Sequence, residues 1–196
     1  MKKVSTLLLL ALVSFNLSAQ KMSKDKKAVV ASVEKHKENL ITISDSIWAL
    51  AETAFEESIS SELLADYAEQ NGMTVTRGVA DIPTAFVATY GSGKPVISVL
   101  GEFDALPGLS QNTVPTKDPR IDGAPGHGCG HNMFGAASLG AAIAIKEQIE
   151  AGNIKGTVKF FGTPAEEKFF GKVWMVEAGL WDDVDVNVSW HPSAEI

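Results

Sequence analysis

The alternation of strands and helices after residue 94 is the feature that most limits how this 196-residue chain can fold. Short apolar runs typical of buried strands lie at Pro95–Leu100, Thr157–Gly162 and Asp185–Trp190. Helical segments lie between them, at Met133–Ala151 and Lys168–Ala178. Strands joined through helices are typical of a parallel sheet. The pattern therefore predicts an α/β fold with a mostly parallel central sheet covered by helices.

The first half of the chain predicts two helices followed by two strands. Apolar residues at helical spacing indicate a long helix over Lys24–Phe55, and Glu57–Gln70 predicts a second helix that ends at Asn71-Gly72. Met73–Arg77 and Ala85–Tyr90 predict strands. His36 lies in a polar stretch of the first helix, where we expect it to be exposed.

Residues 1–20 have the pattern of a secretory signal peptide. A basic start precedes the apolar run Val4–Phe15, and Leu17-Ser18-Ala19 has the small residues of a cleavage site. The run is too short to span a bilayer as a helix, so we expect cleavage after Ala19 or Gln20 and a periplasmic or secreted protein. The alternative is an uncleaved N-terminal anchor. Residues 21–196 then form the folded part.

Composition narrows the function classes. A formal net charge of −7 argues against a nucleic-acid partner. The single cysteine, Cys129, cannot form an internal disulfide. A free thiol in an oxidising compartment needs a chemical reason, and metal ligation is one, whereas an inert buried cysteine is the alternative.

The segment Pro125–Asn132 carries the strongest chemical signal. It reads Pro-Gly-His-Gly-Cys-Gly-His-Asn, so Cys129 and His131 are two residues apart on a glycine-rich loop that precedes a helix. A thiolate and an imidazole at this spacing can bind one metal ion. The helix N-terminus is expected to favour the thiolate. We expect His127 to support the site or contact substrate.

Polar side chains follow each of the three strands predicted after residue 94. These residues are Glu102 and Asp104, Glu166 and Glu167, and His191. Ligands of open α/β sheets bind beyond the carboxyl ends of the strands, where the Cys129–His131 loop also lies. The sequence thus predicts a metal site at this edge. The alternatives are a solvated turn or helix N-cap for Glu102 and Asp104, an acidic first helical turn for Glu166 and Glu167, and a loop histidine for His191.

The adjacent glutamates suggest metal-assisted hydrolysis. One carboxylate can hold a metal while its neighbour takes a proton from water activated for attack on a carbonyl. Imidazole, thiolate and carboxylate together favour Zn²⁺ or Mn²⁺ over Mg²⁺ or Ca²⁺.

Three ordered motifs resemble the metal-dependent amidohydrolase and peptidase family that includes aminoacylases, hippurate hydrolases and carboxypeptidase G. They are Gly101–Pro107, His127–Asn132 and Thr163–Glu167. The resemblance covers most of residues 21–196. It implies a three-layer sandwich of the zinc-exopeptidase type, usually with two divalent ions that cleave the amide bond of an N-acyl amino acid or small dipeptide-like molecule.

The resemblance also implies a role for each matching position. The implied metal ligands are Cys129, His131, Glu167 and His191. Glu166 matches the general base, and Asp104 matches an aspartate that supports the site.

The sequence departs from the family pattern in three ways. Glu102 replaces a histidine ligand of the peptidase branch, and Asn132 replaces a common aspartate. The resemblance also implies a chain about twice as long, with a dimerisation domain and a further histidine ligand. We therefore expect an N-terminal part of a catalytic domain that is a homodimer when full length and is inactive alone.

Two other functions stay open at this point. The first is a catalytically incomplete module that binds a metal or a ligand without turnover. The second is a thiol enzyme with Cys129 as nucleophile. The Cys-x-His spacing suits shared metal ligation better than a pair of nucleophile and base.

Overall fold

A computed structural model of the chain describes residues 22–193. The predicted signal peptide, residues 1–20, lies outside this range and stays a prediction. Within the range, no helix has both the length and the apolar character needed to cross a membrane.

The described part of the chain alternates helices and strands. The helices are α1 (Lys24–Leu50), α2 (Ser58–Gln70), α3 (His131–Glu150), α4 (Glu166–Phe169) and α5 (Gly171–Glu177), with a 3₁₀ turn at Val79–Asp81. The strands are β1 (Thr74–Arg77), β2 (Phe86–Ser92), β3 (Val96–Glu102), β4 (Gly156–Thr163) and β5 (Val186–Val188). The segment Asn112–Gly126 is a loop, as predicted.

One five-stranded sheet with the order β1-β2-β4-β3-β5 organises the molecule. The three strands predicted after residue 94 are parallel: β3 pairs with β4 on one side and with β5 on the other. β1–β2 and β2–β4 pair antiparallel. The α/β class and the helical cover are confirmed, and the sheet is mixed because β2 alone among its five strands runs in the opposite direction.

Helices cover one face of the sheet, and shorter elements cover the other. Alternate residues of one strand divide between the faces, so Phe160 packs under α1, α2 and α3 while Phe161 packs with Met175 of α5. Both phenylalanines are fully buried. Burial of each is worth about 2–3 kcal/mol. The sheet is therefore the middle of three layers, which holds the ends of β3 and β4 in place.

Helix α1 ends earlier than predicted. The Ser23 side chain caps its start by accepting a hydrogen bond from Lys26 N. Its end is set by Ala51, which adopts a left-handed conformation with φ 47°. Leu40 and Ile47 are buried on the face that packs against α3, in agreement with the helical spacing.

The expectation that His36 is exposed is wrong. His36 is buried between α1 and its neighbours, where Nδ1 lies 2.7 Å from the Tyr67 hydroxyl and Nε2 lies 3.0 Å from Glu147 Oε1. Glu147 also accepts hydrogen bonds from Ser32 and Lys35. A histidine in a polar helical stretch is buried here because α2 and α3 supply partners that the local sequence does not reveal.

The helix predicted over Lys168–Ala178 forms as two helices, α4 and α5. The break is at Phe170, which has a left-handed φ of 54° between them. This break separates Glu166 and Glu167 on α4 from Lys172 on α5.

Candidate metal centre

The glycine-rich loop delivers two donors to the base of α3. Gly130 precedes the helix with φ 76°, a conformation that favours glycine. A β-carbon there would also lie 3.0 Å from the Cβ of Pro192. His131 follows as the first helical residue with its side chain fully buried, and Cys129 is partly exposed on the loop.

Three of the predicted ligands converge on one point. Cys129 Sγ lies 3.4 Å from His191 Nε2, which lies 3.4 Å from His131 Nε2. All three donor atoms lie within 4.8 Å of one another. They come from the loop, from α3 and from the segment after β5, because these elements meet at the carboxyl end of the parallel strands.

Asp104 holds two parts of the site in position. Its Oδ1 accepts a hydrogen bond from His131 Nδ1 at 2.9 Å, and its Oδ2 accepts one from the Glu167 backbone N–H at 2.9 Å. Because Nδ1 is hydrogen-bonded to Asp104, the Nε2 atom of His131 faces Cys129 and His191. A carboxylate behind a histidine is the usual support for a metal-ligating imidazole.

Glu167 completes the set of four predicted ligands. Its Oε1 lies 3.9 Å from His131 Nε2. The same oxygen is buried and lacks a hydrogen-bond partner within residues 22–193. A buried carboxylate oxygen without a donor is costly, and a cation would satisfy it.

Glu102 and Lys172 belong to the site, although the sequence assigns neither of them a role there. Glu102 Oε2 lies 2.8 Å from His131 Nε2, and Oε1 forms an ion pair with Lys172 Nζ. Glu102, His131 and Glu166 form a second group of donor atoms within 4.8 Å. The position of Glu102 after β3 places it among the polar residues predicted at this edge of the sheet, whereas Lys172 offers no such signal.

The expected stabilisation of a thiolate at the start of α3 is not seen. Burial raises the pKa of Cys129 to about 11, and the negative charge of Glu167 adds to the effect. In the metal-free chain, burial and the Glu167 charge thus raise the pKa of Cys129 more than the helix N-terminus lowers it. A thiol with this pKa is a poor nucleophile, which disfavours the thiol-enzyme alternative.

The cluster carries an excess of negative charge. The pKa of Glu167 is raised by burial, although the His131 charge partly opposes this. Burial would lower the pKa of His131, but hydrogen bonds to Asp104 and Glu102 outweigh it and raise the value to about 10. In the metal-free chain a proton on His131 therefore offsets only part of the negative charge of the carboxylates.

A divalent cation fits this donor set. Cys129, His131, Glu167 and His191 offer thiolate, imidazole and carboxylate ligands, and a bound ion would take the place of the proton on His131 Nε2. Donors of this kind suit Zn²⁺ or Mn²⁺.

His127 lies beside the centre and is not part of either donor group within residues 22–193. Its Nε2 donates to the Ile47 carbonyl at 3.1 Å, which joins the loop to α1. Burial lowers its pKa to about 4. The predicted supporting role agrees with this contact, whereas a contact with substrate stays a prediction.

A buried carboxylate that the sequence did not single out orients the two glutamates. Glu57 is fully buried, and its Oε1 accepts a hydrogen bond from the Ala165 N–H at 2.8 Å. Burial raises its pKa to about 7. Ala165 has a left-handed φ of 58° directly before Glu166, so Glu57 stabilises the turn from which Glu166 and Glu167 project.

Comparison with known proteins agrees with this geometry. The profile of peptidase family M20/M25/M40 matches residues 99–195. One of the subunits of the p-aminobenzoyl-glutamate hydrolase of Escherichia coli is 48% identical over 83% of this chain and 34% of its own length. Thermostable carboxypeptidase 1 of Saccharolobus solfataricus is 30% identical over 79% of this chain and 39% of its own.

Solved structures show the same fold. A dinuclear metal-binding peptidase of the M20 family from Bacillus subtilis superposes with a TM-score of 0.67 at 25% identity, over 82% of this chain and 45% of its own. The chain thus spans less than half the length of that structure and of the two curated relatives above.

Proposed function

Since residues 99–195 of this chain belong to peptidase family M20/M25/M40, whose relatives are metal-dependent hydrolases, we propose that it serves as an exported metallohydrolase. The proposed reaction is cleavage of the amide bond of an N-acyl amino acid or a small peptide-like molecule. The relative from Escherichia coli is named for hydrolysis of p-aminobenzoyl-glutamate, so this compound is the first substrate to test.

The observation that carries the proposal is the convergence of donors from four separate segments. The loop, α3, α4 and the segment after β5 bring Cys129, His131, Glu167 and His191 to one edge of the sheet. The buried, unpartnered Oε1 of Glu167 supports a cation at this point.

Different residues of the chain have different roles in the proposed reaction. Cys129, His131, Glu167 and His191 would hold a divalent ion, which would supply Lewis acidity towards a carbonyl and a water molecule. Glu166 accepts the proton of the attacking water and passes it to the leaving amine. Asp104 keeps the His131 ring oriented through the hydrogen bond to Nδ1. Lys172 balances the charge of Glu102.

Two further parts of the proposal concern location and metal content. The pattern of residues 1–20 supports export to the periplasm or beyond. Two ions per site are proposed because the relative from Bacillus subtilis is a dinuclear metal-binding peptidase, and Glu102 and Asp104 add carboxylates beside the four ligands. Formation of a homodimer is a further proposal.

Metal binding and turnover test the proposal separately. The chain is titrated with Zn²⁺ and with Mn²⁺ by calorimetry, and hydrolysis of p-aminobenzoyl-glutamate is followed in the metal-loaded full-length protein, since the present chain alone is expected to be inactive. Glu166→Gln should retain metal but lose roughly 10²–10⁴-fold in kcat. Glu177→Gln, an exposed acid on α5, is the matched control and should keep full activity.

Full activity of Glu166→Gln would overturn the proposed base. Tight metal binding without turnover in the unmodified full-length protein would favour the alternative of a catalytically incomplete metal-binding module. Absence of metal binding would overturn the proposal as a whole.

A further inference from the structure

A second cavity lies beside the candidate metal centre, between α1 and the segment 109–128. Its volume is about 170 Å³, and its walls include Trp48 of α1, Arg120 of the loop and His127. His127 and Gly128 also line the cleft that contains Cys129 and His191. The cavity and the metal centre therefore share a wall, and one small molecule could contact both.

The only charge on the walls of the cavity is positive. Arg120 is the charged residue there, and no lining residue, all of which fall within residues 22–193, carries a carboxylate. The guanidinium has no ion-pair partner in that part of the chain, unlike Arg77, which pairs with three acids. Arginine is suited to paired hydrogen bonds with a carboxylate.

Packing fixes the guanidinium at the cavity wall. The Arg120 Cζ atom lies 4.2 Å from the centroid of the Trp48 ring, a cation–π contact. The loop itself is ordered by internal hydrogen bonds, among them Asn112 N to Asp118 O at 2.8 Å and Ile121 N to Ser110 Oγ at 3.2 Å. A cation held in advance loses little conformational entropy when it binds an anion.

His127, which lines the same wall, has a ring nitrogen without a hydrogen-bond partner in the described part of the chain. His127 Nε2 donates to the Ile47 carbonyl, so in the neutral ring Nδ1 is an acceptor. Nδ1 is buried and has no hydrogen-bond partner within residues 22–193. A buried acceptor of this kind is normally hydrogen-bonded, so an N–H or O–H donor of a ligand would stabilise it.

We propose that this cavity binds the carboxylate-bearing end of an N-acylamino acid, with the carboxylate on Arg120 and an N–H on His127 Nδ1. An amide N–H next to a carboxylate is the group that supplies both partners at short range. The inference rests on the proposed function: because His127 and Gly128 line both spaces, the acyl group of the same molecule would extend towards Cys129 and His191.

Binding to the metal-free chain tests this subsite without any turnover. Benzoylglycine is titrated into chelator-treated protein, and its dissociation constant is measured by calorimetry and by quenching of tryptophan fluorescence. Benzoylglycinamide, which lacks the carboxylate, is the matched ligand. We expect it to bind at least roughly tenfold more weakly, as for loss of a charge-assisted contact.

Variants locate the contact. Arg120→Gln should weaken benzoylglycine binding by at least roughly tenfold. Lys117→Gln removes an exposed charge of the same loop outside the cavity and should leave binding unchanged. Trp48→Phe should remove most of the fluorescence change.

Three results would overturn the subsite: no binding of benzoylglycine, equal binding of the two ligands, or binding that requires added Zn²⁺. The comparison of the two ligands on the unmodified chain needs no variant and stays valid if Arg120→Gln misfolds. Failure of the subsite with intact metal binding and hydrolysis would leave the proposed function standing. Loss of turnover with intact binding of benzoylglycine would overturn the proposed function and leave the subsite standing.

Discussion

Two buried histidines of this molecule, His36 and His131, have similar partners but different surroundings. Each ring contacts a carboxylate at about 3 Å: Glu147 beside His36, and Asp104 and Glu102 beside His131. Around His36, the hydroxyl of Tyr67 satisfies the second ring nitrogen. Hydrogen-bonding capacity and charge are balanced there by groups of the protein itself.

The His131 cluster is not balanced in this way. It collects Glu102, Asp104, Glu166 and Glu167 around one imidazole, and Glu167 Oε1 is left without a hydrogen bond. Lys172 offsets only Glu102. The difference shows that a buried histidine–carboxylate pair does not by itself indicate a function, whereas unsatisfied acceptors around such a pair favour a cation-binding site.

The largest expected difference concerns metal affinity. His131→Ala should weaken Zn²⁺ binding by more than roughly a hundredfold, since even the supporting partners of a metal ligand are worth about 10–100-fold. His36→Ala should leave the affinity unchanged. Competition with a chromogenic chelator measures both. Equal losses in the two variants would remove the distinction between the clusters.

The support behind His131 should matter less than the ligand itself. Asp104→Ala removes the acceptor for His131 Nδ1 and for the Glu167 N–H, and we expect a loss of about 10–100-fold in Zn²⁺ affinity. Asp45→Ala, an exposed acid on α1, is the control. An unchanged affinity in Asp104→Ala would show that the ring is held by packing alone.

Substitutions in the His36 cluster should instead change the free energy of unfolding. Tyr67→Phe leaves His36 Nδ1 without its partner and should lower the free energy of unfolding by about 1–3 kcal/mol. Tyr90→Phe is the matched control because its hydroxyl makes no hydrogen bond within the part of the chain that the structure describes. Urea unfolding of the metal-free protein measures the change, and equal effects of the two substitutions would contradict it.

Neutralising one glutamate in each cluster should change stability in opposite directions. In the metal-free chain at pH 7, Glu167→Gln should stabilise slightly, because burial disfavours the charged carboxylate of Glu167 and the negative charge of Asp104 adds to this effect. Glu147→Gln should destabilise by about 1 kcal/mol after solvent screening. The same urea experiment measures both, and changes of equal sign would refute the contrast.

The smallest effect is a pH dependence. Burial would raise the pKa of Glu147, but hydrogen bonds from Lys35, Ser32 and His36 outweigh it and lower the value to about 2. Because the folded pKa lies below the unfolded value of about 4.5, its stabilisation is complete above pH 4.5 and is lost as the pH falls towards 2. The stability difference between wild type and Glu147→Gln should shrink over this range, and a constant difference would contradict it.

Much of the architecture follows from local sequence patterns. The three strands after residue 94 pair in parallel as predicted, since apolar runs joined through helices have few other solutions. The spacing of Cys129 and His131 predicts that they share a site because both are on one short loop. Glu167 and His191 are predicted to lie at the same site because each follows the carboxyl end of a parallel strand, and these ends meet at one edge of the sheet.

Other features depend on contacts between distant segments. The burial of His36 depends on Tyr67 and Glu147, which lie 31 and 111 residues further along the chain. Lys172 reaches Glu102 only because Phe170 breaks the predicted helix. Neither contact has a local pattern that could reveal it.

The sequence by itself determined the element types, the parallel part of the sheet and the residues most suited to bind a metal, because periodicity and ligand chemistry are local properties. Tertiary structure alone decided which polar groups find partners. That outcome depends on how many hydrogen-bond donors and charges distant segments place around each buried atom. It distinguishes the balanced His36 cluster from the unbalanced cluster at His131.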